Sequence, residues 1–134
     1  MVTARFKFYP EENRYTMRVS GHARQGPKGF DVVCAGASIF AMTIAQAFIN
    51  MGKEDRLEEP PHIEIEDGRI RLSVIPKEEF IAETLHTFYF AQLGFGLLEE
   101  SYPDHAKLIS FEAPDTGDLE ESSTLRTGNE TRPL

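Results

Sequence analysis

The feature that most constrains this fold is a long apolar stretch, Val32–Met51, which follows a loop rich in glycine. Its 20 residues are too many for one strand, so the stretch predicts a helix. Apolar side chains fall on almost every side of that helix, which predicts that it is sandwiched between other elements. Asp31 is predicted to cap its first turn, and Gly52 suits the position after its last turn.

Alternation of apolar and polar residues on both sides of this helix predicts two β-hairpins, each with one buried face. The second hairpin is predicted to turn at Asp67-Gly68, a pair typical of tight hairpin turns. The four alternating segments are Thr3–Tyr9, Tyr15–Val19, His62–Glu66 and Arg69–Ile75.

A second helix is predicted to begin at Pro76, to weaken at Gly94–Gly96 and to finish near Tyr102. Lys107–Glu112 is predicted to form a last short strand. The order ββα-ββα-β predicts an α+β fold in which antiparallel hairpins pack with two helices.

Length, charge and cysteine usage bound the class of protein. The chain has 134 residues, a formal net charge of −8 and a single cysteine. We expect one domain over residues 1–112, followed by a disordered acidic tail over residues 113–134 that holds too few large apolar side chains to fold. One cysteine forms no internal disulfide and no signal peptide is visible, so a reducing cytoplasm and no membrane are expected. The negative charge argues against direct nucleic-acid binding.

Cys34 and His22 are the candidate catalytic residues. If Asp31 caps the long helix, Cys34 falls in its first turn, where unpaired amide groups and the helix dipole favour a negative charge on the sulfur. His22 can act as acid and base, and amides at the helix start, including that of Cys34, can hold an oxyanion. Together these groups suit acyl transfer, most simply peptide hydrolysis.

Structural roles are the alternatives for each of these residues. A lone cysteine near an apolar helix is commonly a small core residue, and a loop histidine is commonly solvated. Asp31 is most simply a cap, while Ser38, one turn beyond Cys34, can support a neighbouring polar group. No metal-ligand or phosphate-binding spacing is present, so no metal or cofactor is expected. The remaining histidines are expected to be structural or solvated: His62, His86 and His105.

The motif G-H-A, a short glycine-containing loop and then G-x-D-x-V-C-A-x-x-S resembles the ribosomal-processing cysteine protease family, often called Prp. In this chain the motif occupies Gly21–Ala23 and Gly29–Ser38. The resemblance covers roughly residues 2–112 and is specific, because the motif combines both chemical residues with their flanking glycines.

The resemblance implies a small, cytoplasmic, homodimeric endopeptidase that removes a short N-terminal extension from large-subunit ribosomal protein twenty-seven. His22 and Cys34 match the catalytic pair of that family, and Asp31 and Ser38 match positions associated with its site. The loop before the helix matches a mobile lid over the substrate. The candidate lid residues are Gly21, Ala23, Arg24, Gly26, Lys28, Gly29 and Phe30.

Two features depart from the family pattern. The lid carries a proline and two basic residues, and the acidic tail from Ala113 runs past the end of the pattern. Two alternative functions therefore stay open. One is a phage-type protease that processes capsid or scaffold protein, and the other is a non-catalytic ribosome-associated module whose Cys34 is a redox-sensitive thiol.

Overall fold

The computed structural model describes residues 1–21 and 28–110, and for residues 28–31 it describes the backbone alone. The elements follow in the predicted order, strand–strand–helix twice and then a strand. They are β1 (Val2–Tyr9), β2 (Arg14–Ser20), α1 (Lys28–Lys53), β3 (His62–Glu66), β4 (Arg69–Val74), a 3₁₀ turn (Glu78–Phe80), α2 (Ile81–Ser101) and β5 (Ala106–Ile109). The acidic tail and most of the lid lie outside the described residues.

The strands form one five-stranded sheet in the order β3-β4-β2-β1-β5. Both predicted hairpins are present, and they are joined by antiparallel pairing of β2 with β4. β5 pairs with β1 in parallel, which makes the sheet mixed. The α+β class is confirmed, and the parallel edge is what the structure adds to it.

The core lies between one face of this sheet and the two helices. The alternation seen in the sequence sets which side chains enter it, because successive residues of a strand point to opposite faces. Phe88 of α2 is fully buried, and its ring lies 6.0 Å from Phe6, 6.0 Å from Tyr15 and 5.1 Å from Phe48, measured between centroids. One aromatic side chain thus connects α2 with β1, β2 and α1.

The prediction that α1 is sandwiched is wrong. Val33, Ala41 and Phe48 are buried against the sheet and α2, but Val32 and Ile39 are 58% and 69% exposed. Both helices pack on the same face of a single sheet, so among residues 1–21 and 28–110 no third layer covers the outer side of α1. By length and composition alone, Val32–Lys53 could also cross a membrane. Its buried side chains belong to the core of this fold.

The second helix also differs in detail from its prediction. It begins with a 3₁₀ turn two residues after Pro76 and then runs without a break through Gly94 and Gly96 to Ser101. Gly94 allows the ring of Phe40 to approach: a Cβ there would lie 2.0 Å from Phe40 Cε2. Gly94, which suggested a weak point in the sequence, is therefore a close contact between α2 and the Phe40 ring of α1, and that ring also lies 5.2 Å from the Phe95 ring.

Replacing Gly94 with alanine is expected to lower the free energy of unfolding by about 1–3 kcal/mol, because the Phe40 ring must move away from α2. Gly96→Ala is the matched control. Its Cβ would meet Leu108 Cδ2 at an ordinary 3.6 Å, so the higher helix propensity of alanine should raise stability by about 0.5–1 kcal/mol. Urea unfolding measures both variants, and equal effects would contradict the close contact at Gly94.

Candidate active site

Cys34 lies on the flank of α1, between its buried and its exposed sides. The neighbouring Val33 and Ala37 are buried, Ser38 is exposed one turn further along, and Cys34 itself is half-buried. Phe40, which packs against α2, lies on the opposite flank of the helix. The Cys34 side chain is therefore open to solvent on the side of α1 that faces away from α2.

The contacts at the C-terminal end of α1 indicate which end of the sheet lies near Cys34, at the N-terminal end of the helix. A Cβ on Gly52 would lie 3.1 Å from Pro61 Cδ and 3.7 Å from Leu57 Cδ1, and Leu57 pairs with Pro76 just after β4. Eighteen residues separate Cys34 from Gly52, or about 27 Å of helix. Eight residues separate Gly68 from Pro76, or about 26 Å of strand. Cys34 therefore lies at the end of the sheet where the Asp67-Gly68 turn is found.

β2 ends at this same end of the sheet. Ser20 is opposite Arg69 of β4 and Thr3 of β1, and the amide of Gly21 donates a hydrogen bond to the carbonyl of Gly68 (3.0 Å). His22 is the next residue in the sequence and lies outside the described part of the chain. Gly21, the residue before His22, therefore lies at the same end of the sheet as Cys34.

Gly21 is held in a conformation that only glycine adopts readily. Its φ is +119°, and a Cβ there would lie 2.1 Å from the carbonyl oxygen of Met1. The sequence motif predicts Gly21 as a lid residue, but it does not predict that Met1, just before β1, lies against Gly21. The N-terminus and the Asp67-Gly68 turn are thus parts of this region that sequence reasoning missed.

The predicted start of the helix is wrong. α1 begins at Lys28, so Asp31 is its fourth residue rather than its cap, and Lys28, Gly29 and Phe30 belong to the helix rather than to the loop. Cys34 is the seventh residue, so a helical carbonyl group lies four residues before it to accept its amide proton. Cys34 is therefore not in the first turn of α1. The prediction that its amide contacts an oxyanion is wrong as well, because that amide donates within the helix. Asp31 lies instead within the first turn of α1.

The other histidines do not form a catalytic pair with Cys34 in the described residues. His62 lies at the start of β3, 3.4 Å from Glu59, and His86 is exposed on α2. His105 is half-buried before β5, where its carbonyl accepts the amide proton of Val2. Within the described part of the chain, no three histidine, cysteine or acidic side chains are grouped to hold a metal ion.

Replacing Gly21 with alanine is expected to cost at least about 2 kcal/mol of stability, because the strained φ and the contact with Met1 both oppose a side chain. Gly36→Ala is the control within the same region. A Cβ there meets nothing within 4 Å, so alanine should stabilise α1 by about 0.5–1 kcal/mol. Thermal unfolding compares the two variants, and a Gly21→Ala protein as stable as wild type would contradict the packing of Met1 on Gly21.

Comparison with known proteins comes from one family model and several solved structures. The family model described as cysteine protease Prp matches residues 1–107. A structure of the essential ribosomal processing protease Prp from S. aureus, in complex with a substrate peptide, is 23% identical with a TM-score of 0.62, covering 82% of this chain and 99% of that one. SMU.848 from Streptococcus mutans is 23% identical with a TM-score of 0.58, covering 82% and 95%. No curated protein matches the chain by sequence. These likenesses confirm the sheet and helices described above.

Proposed function

The chain belongs to the family of the cysteine protease Prp, and we propose on that premise that it removes the N-terminal extension of large-subunit ribosomal protein twenty-seven. The observation that carries the proposal is the position of Cys34. The only cysteine of the chain is accessible on α1, at the end of the sheet where β2 leads to His22. A solved relative with 23% identity is described as a ribosomal processing protease in complex with a substrate peptide, which supports a protein substrate.

The proposed mechanism is covalent catalysis by the Cys34 thiolate. The sulfur attacks the carbonyl carbon of the scissile peptide bond, a C–S bond forms, and His22 gives its proton to the amine that leaves. His22 then takes a proton from water, the resulting hydroxide attacks the thioester, and the acid product leaves with return of the thiolate. A reducing cytoplasm would keep this lone thiol free, and we place the enzyme there.

Supporting roles are proposed for the residues around this pair. Ser38 is exposed one turn beyond Cys34, on the same side of α1, where its hydroxyl can donate a hydrogen bond to bound peptide. Asp31 lies one turn before Cys34 in the helix. The lid between Gly21 and α1 stays a prediction, with Arg24 and Gly26 outside the described residues.

Incubation with the extended ribosomal protein, read by intact mass, tests the substrate. Wild type is expected to cut one peptide bond of the extension, and Cys34→Ala is expected to leave the protein whole. Cleavage of a phage scaffold protein but not of the ribosomal protein would contradict the proposed substrate and favour the phage-type protease. No cleavage of either, with an intact fold, would favour the non-catalytic module.

We also infer that the enzyme is a homodimer, with the uncovered helix faces as the contact. Both helices carry several large apolar side chains on their solvent-exposed sides, whereas the surface of a monomer usually exposes such residues singly. The exposed residues are Val32, Ile39 and Met42 of α1 with Leu85, Tyr89, Phe90 and Leu97 of α2. Burial of this surface in a second copy would cover the exposed apolar side chains of α1 and α2.

Light scattering after size exclusion tests the dimer. Wild type is expected at twice the chain mass of 15.1 kDa, and Ile39→Glu at 15.1 kDa, because a charge replaces the most exposed apolar side chain of α1. Gln46→Glu adds the same charge at an exposed polar position of α1 and should stay dimeric. A monomeric wild type would contradict the inference.

A further inference from the structure

The face of the sheet that the helices do not cover carries a row of arginines. Arg5 of β1 is directly opposite Arg18 of β2, and Arg18 is directly opposite Arg71 of β4. Residues opposite each other on neighbouring strands point to the same face with Cα atoms about 5 Å apart. All three side chains are exposed. We call Arg5, Arg18 and Arg71 the arginine row.

In the described part of the chain, an ion pair is found at one end of this row and not at the other. Arg71 lies 3.6 Å from Glu64 of β3, at the side away from β1. Among the side chains described, those of residues 1–21 and 32–110, no acidic group lies within 4.0 Å of the Arg5 or Arg18 guanidinium. Like charges directly opposite each other destabilise a sheet, so the row is a cost to this fold unless an anion covers it.

Further features of the same face suit an extended acidic ligand. Lys7 lies two residues from Arg5 on β1, and Lys107 lies on β5 beside Thr3. Arg18 and Arg71 also line a half-open depression with a volume of about 250 Å³, together with Thr16, Ser73 and the acidic Glu64. The face therefore offers several cations on four adjacent strands, β4, β2, β1 and β5, rather than a single charged side chain.

The chain itself supplies an acidic segment next to this face. Ile109, the last residue of β5, is opposite Arg5, so the chain leaves the sheet beside the arginine row. Residues 111–125 contain five acidic residues and no lysine or arginine. At about 3.3 Å per residue, the chain from Ser110 to Glu121 is long enough to cross all three strands of the row, which span about 10 Å. The acidic residues are Glu112, Asp115, Asp118, Glu120 and Glu121.

We propose that this acidic segment, residues 112–121, binds across the arginine row of its own chain. Its carboxylates replace the missing partners of Arg5 and Arg18 and offset the like-charge repulsion. Because the segment is tethered, its effective concentration is in the millimolar range, so it competes well with free anions. The bound segment thereby excludes nucleic acid from a basic face of an otherwise acidic protein.

Nuclear magnetic resonance of the full-length ¹⁵N-labelled chain tests the contact. The quadruple variant Asp115→Asn, Asp118→Asn, Glu120→Gln and Glu121→Gln is expected to shift the side-chain Nε–Hε signals of the arginine row. Wild type in 0.5 M NaCl should shift them in the same direction, because salt screens exposed ion pairs. The control is Glu58→Gln, Glu78→Gln, Glu79→Gln and Glu100→Gln, four exposed acids away from this face. It removes the same charge and should leave these signals in place.

Other occupants of the face are distinguished in the same experiment. Unchanged arginine signals in the tail variant, or equal shifts in the control, would overturn the proposal. Shifts that depend on protein concentration, and that appear when unlabelled chain is added, would assign the face to the tail of a second copy instead. A single-stranded RNA of 20 nucleotides, used as a probe, should bind the tail variant at least about tenfold more tightly than wild type. If RNA binds wild type and the tail variant equally well and perturbs the arginine signals of both, the arginine row is open to polyanions. That result would overturn binding of the tail.

Discussion

Cys34→Ala is expected to abolish peptide cleavage, with kcat/KM lower by at least about 10³-fold, because no other thiol exists in the chain to form the acyl-enzyme. His22→Ala should lose a comparable amount. The double variant should be no worse than the poorer single variant, because two residues that act in one step are not additive. Cleavage of a peptide that spans the processing site, followed by mass spectrometry, measures all three.

The control for these variants is a measurement of the unfolding temperature, which shows whether each variant is still folded. Cys34 is half-buried on the flank of α1 rather than in the core, so alanine there should leave the unfolding temperature within a few degrees of wild type. Ala35→Ser, at the exposed neighbouring position, should retain activity. A folded Cys34→Ala protein that still cleaves the peptide would rule out the thiolate mechanism.

Phe88→Ala is expected to lower the free energy of unfolding by about 3–5 kcal/mol, because a large, fully buried aromatic side chain is lost. The side chain is fully buried, and its ring contacts Phe6, Tyr15 and Phe48 on three other elements. Its removal leaves a cavity that neither the sheet nor α1 can easily fill. Urea unfolding followed by circular dichroism measures the loss.

His86→Ala is the matched control for Phe88. It lies half a turn away on the exposed side of α2, and alanine has the higher helix propensity, so stability should change by less than about 0.7 kcal/mol. If Phe88→Ala costs no more than His86→Ala, the aromatic cluster does not hold the helices on the sheet.

Some parts of this fold could be read from local pattern because their cause is local. Ala4 and Phe6 alternate with Arg5 and Lys7, and a strand must place such residues on opposite faces wherever it pairs. Asp67-Gly68 makes a tight turn from its own backbone preferences, and Gly68 has φ +78°.

The limits of helices were harder to predict because several residues compete for each end. Asp31 can cap a helix or stabilise its first turn, and the choice depends on what the preceding backbone can do. The structure places it inside α1, which moves Cys34 from the first turn to the second. Gly94 and Gly96 gave the same signal of weakness, yet only Gly94 has a packing role, because Phe40 lies against it.

The sequence by itself determined the order of elements, the buried faces of β1, β2 and β4, and the lone thiol near the start of a long apolar helix, since each depends on residues close together in the chain. In β3 the alternation did not lead to burial, and Ile65 is 57% exposed. Only the tertiary structure decided that β5 lies parallel to β1, that Met1 packs on Gly21, and that Arg5, Arg18 and Arg71 share one row. Those contacts join residues far apart in sequence. They are settled by the packing of the whole sheet against its helices, for which no short stretch of chain carries a signal.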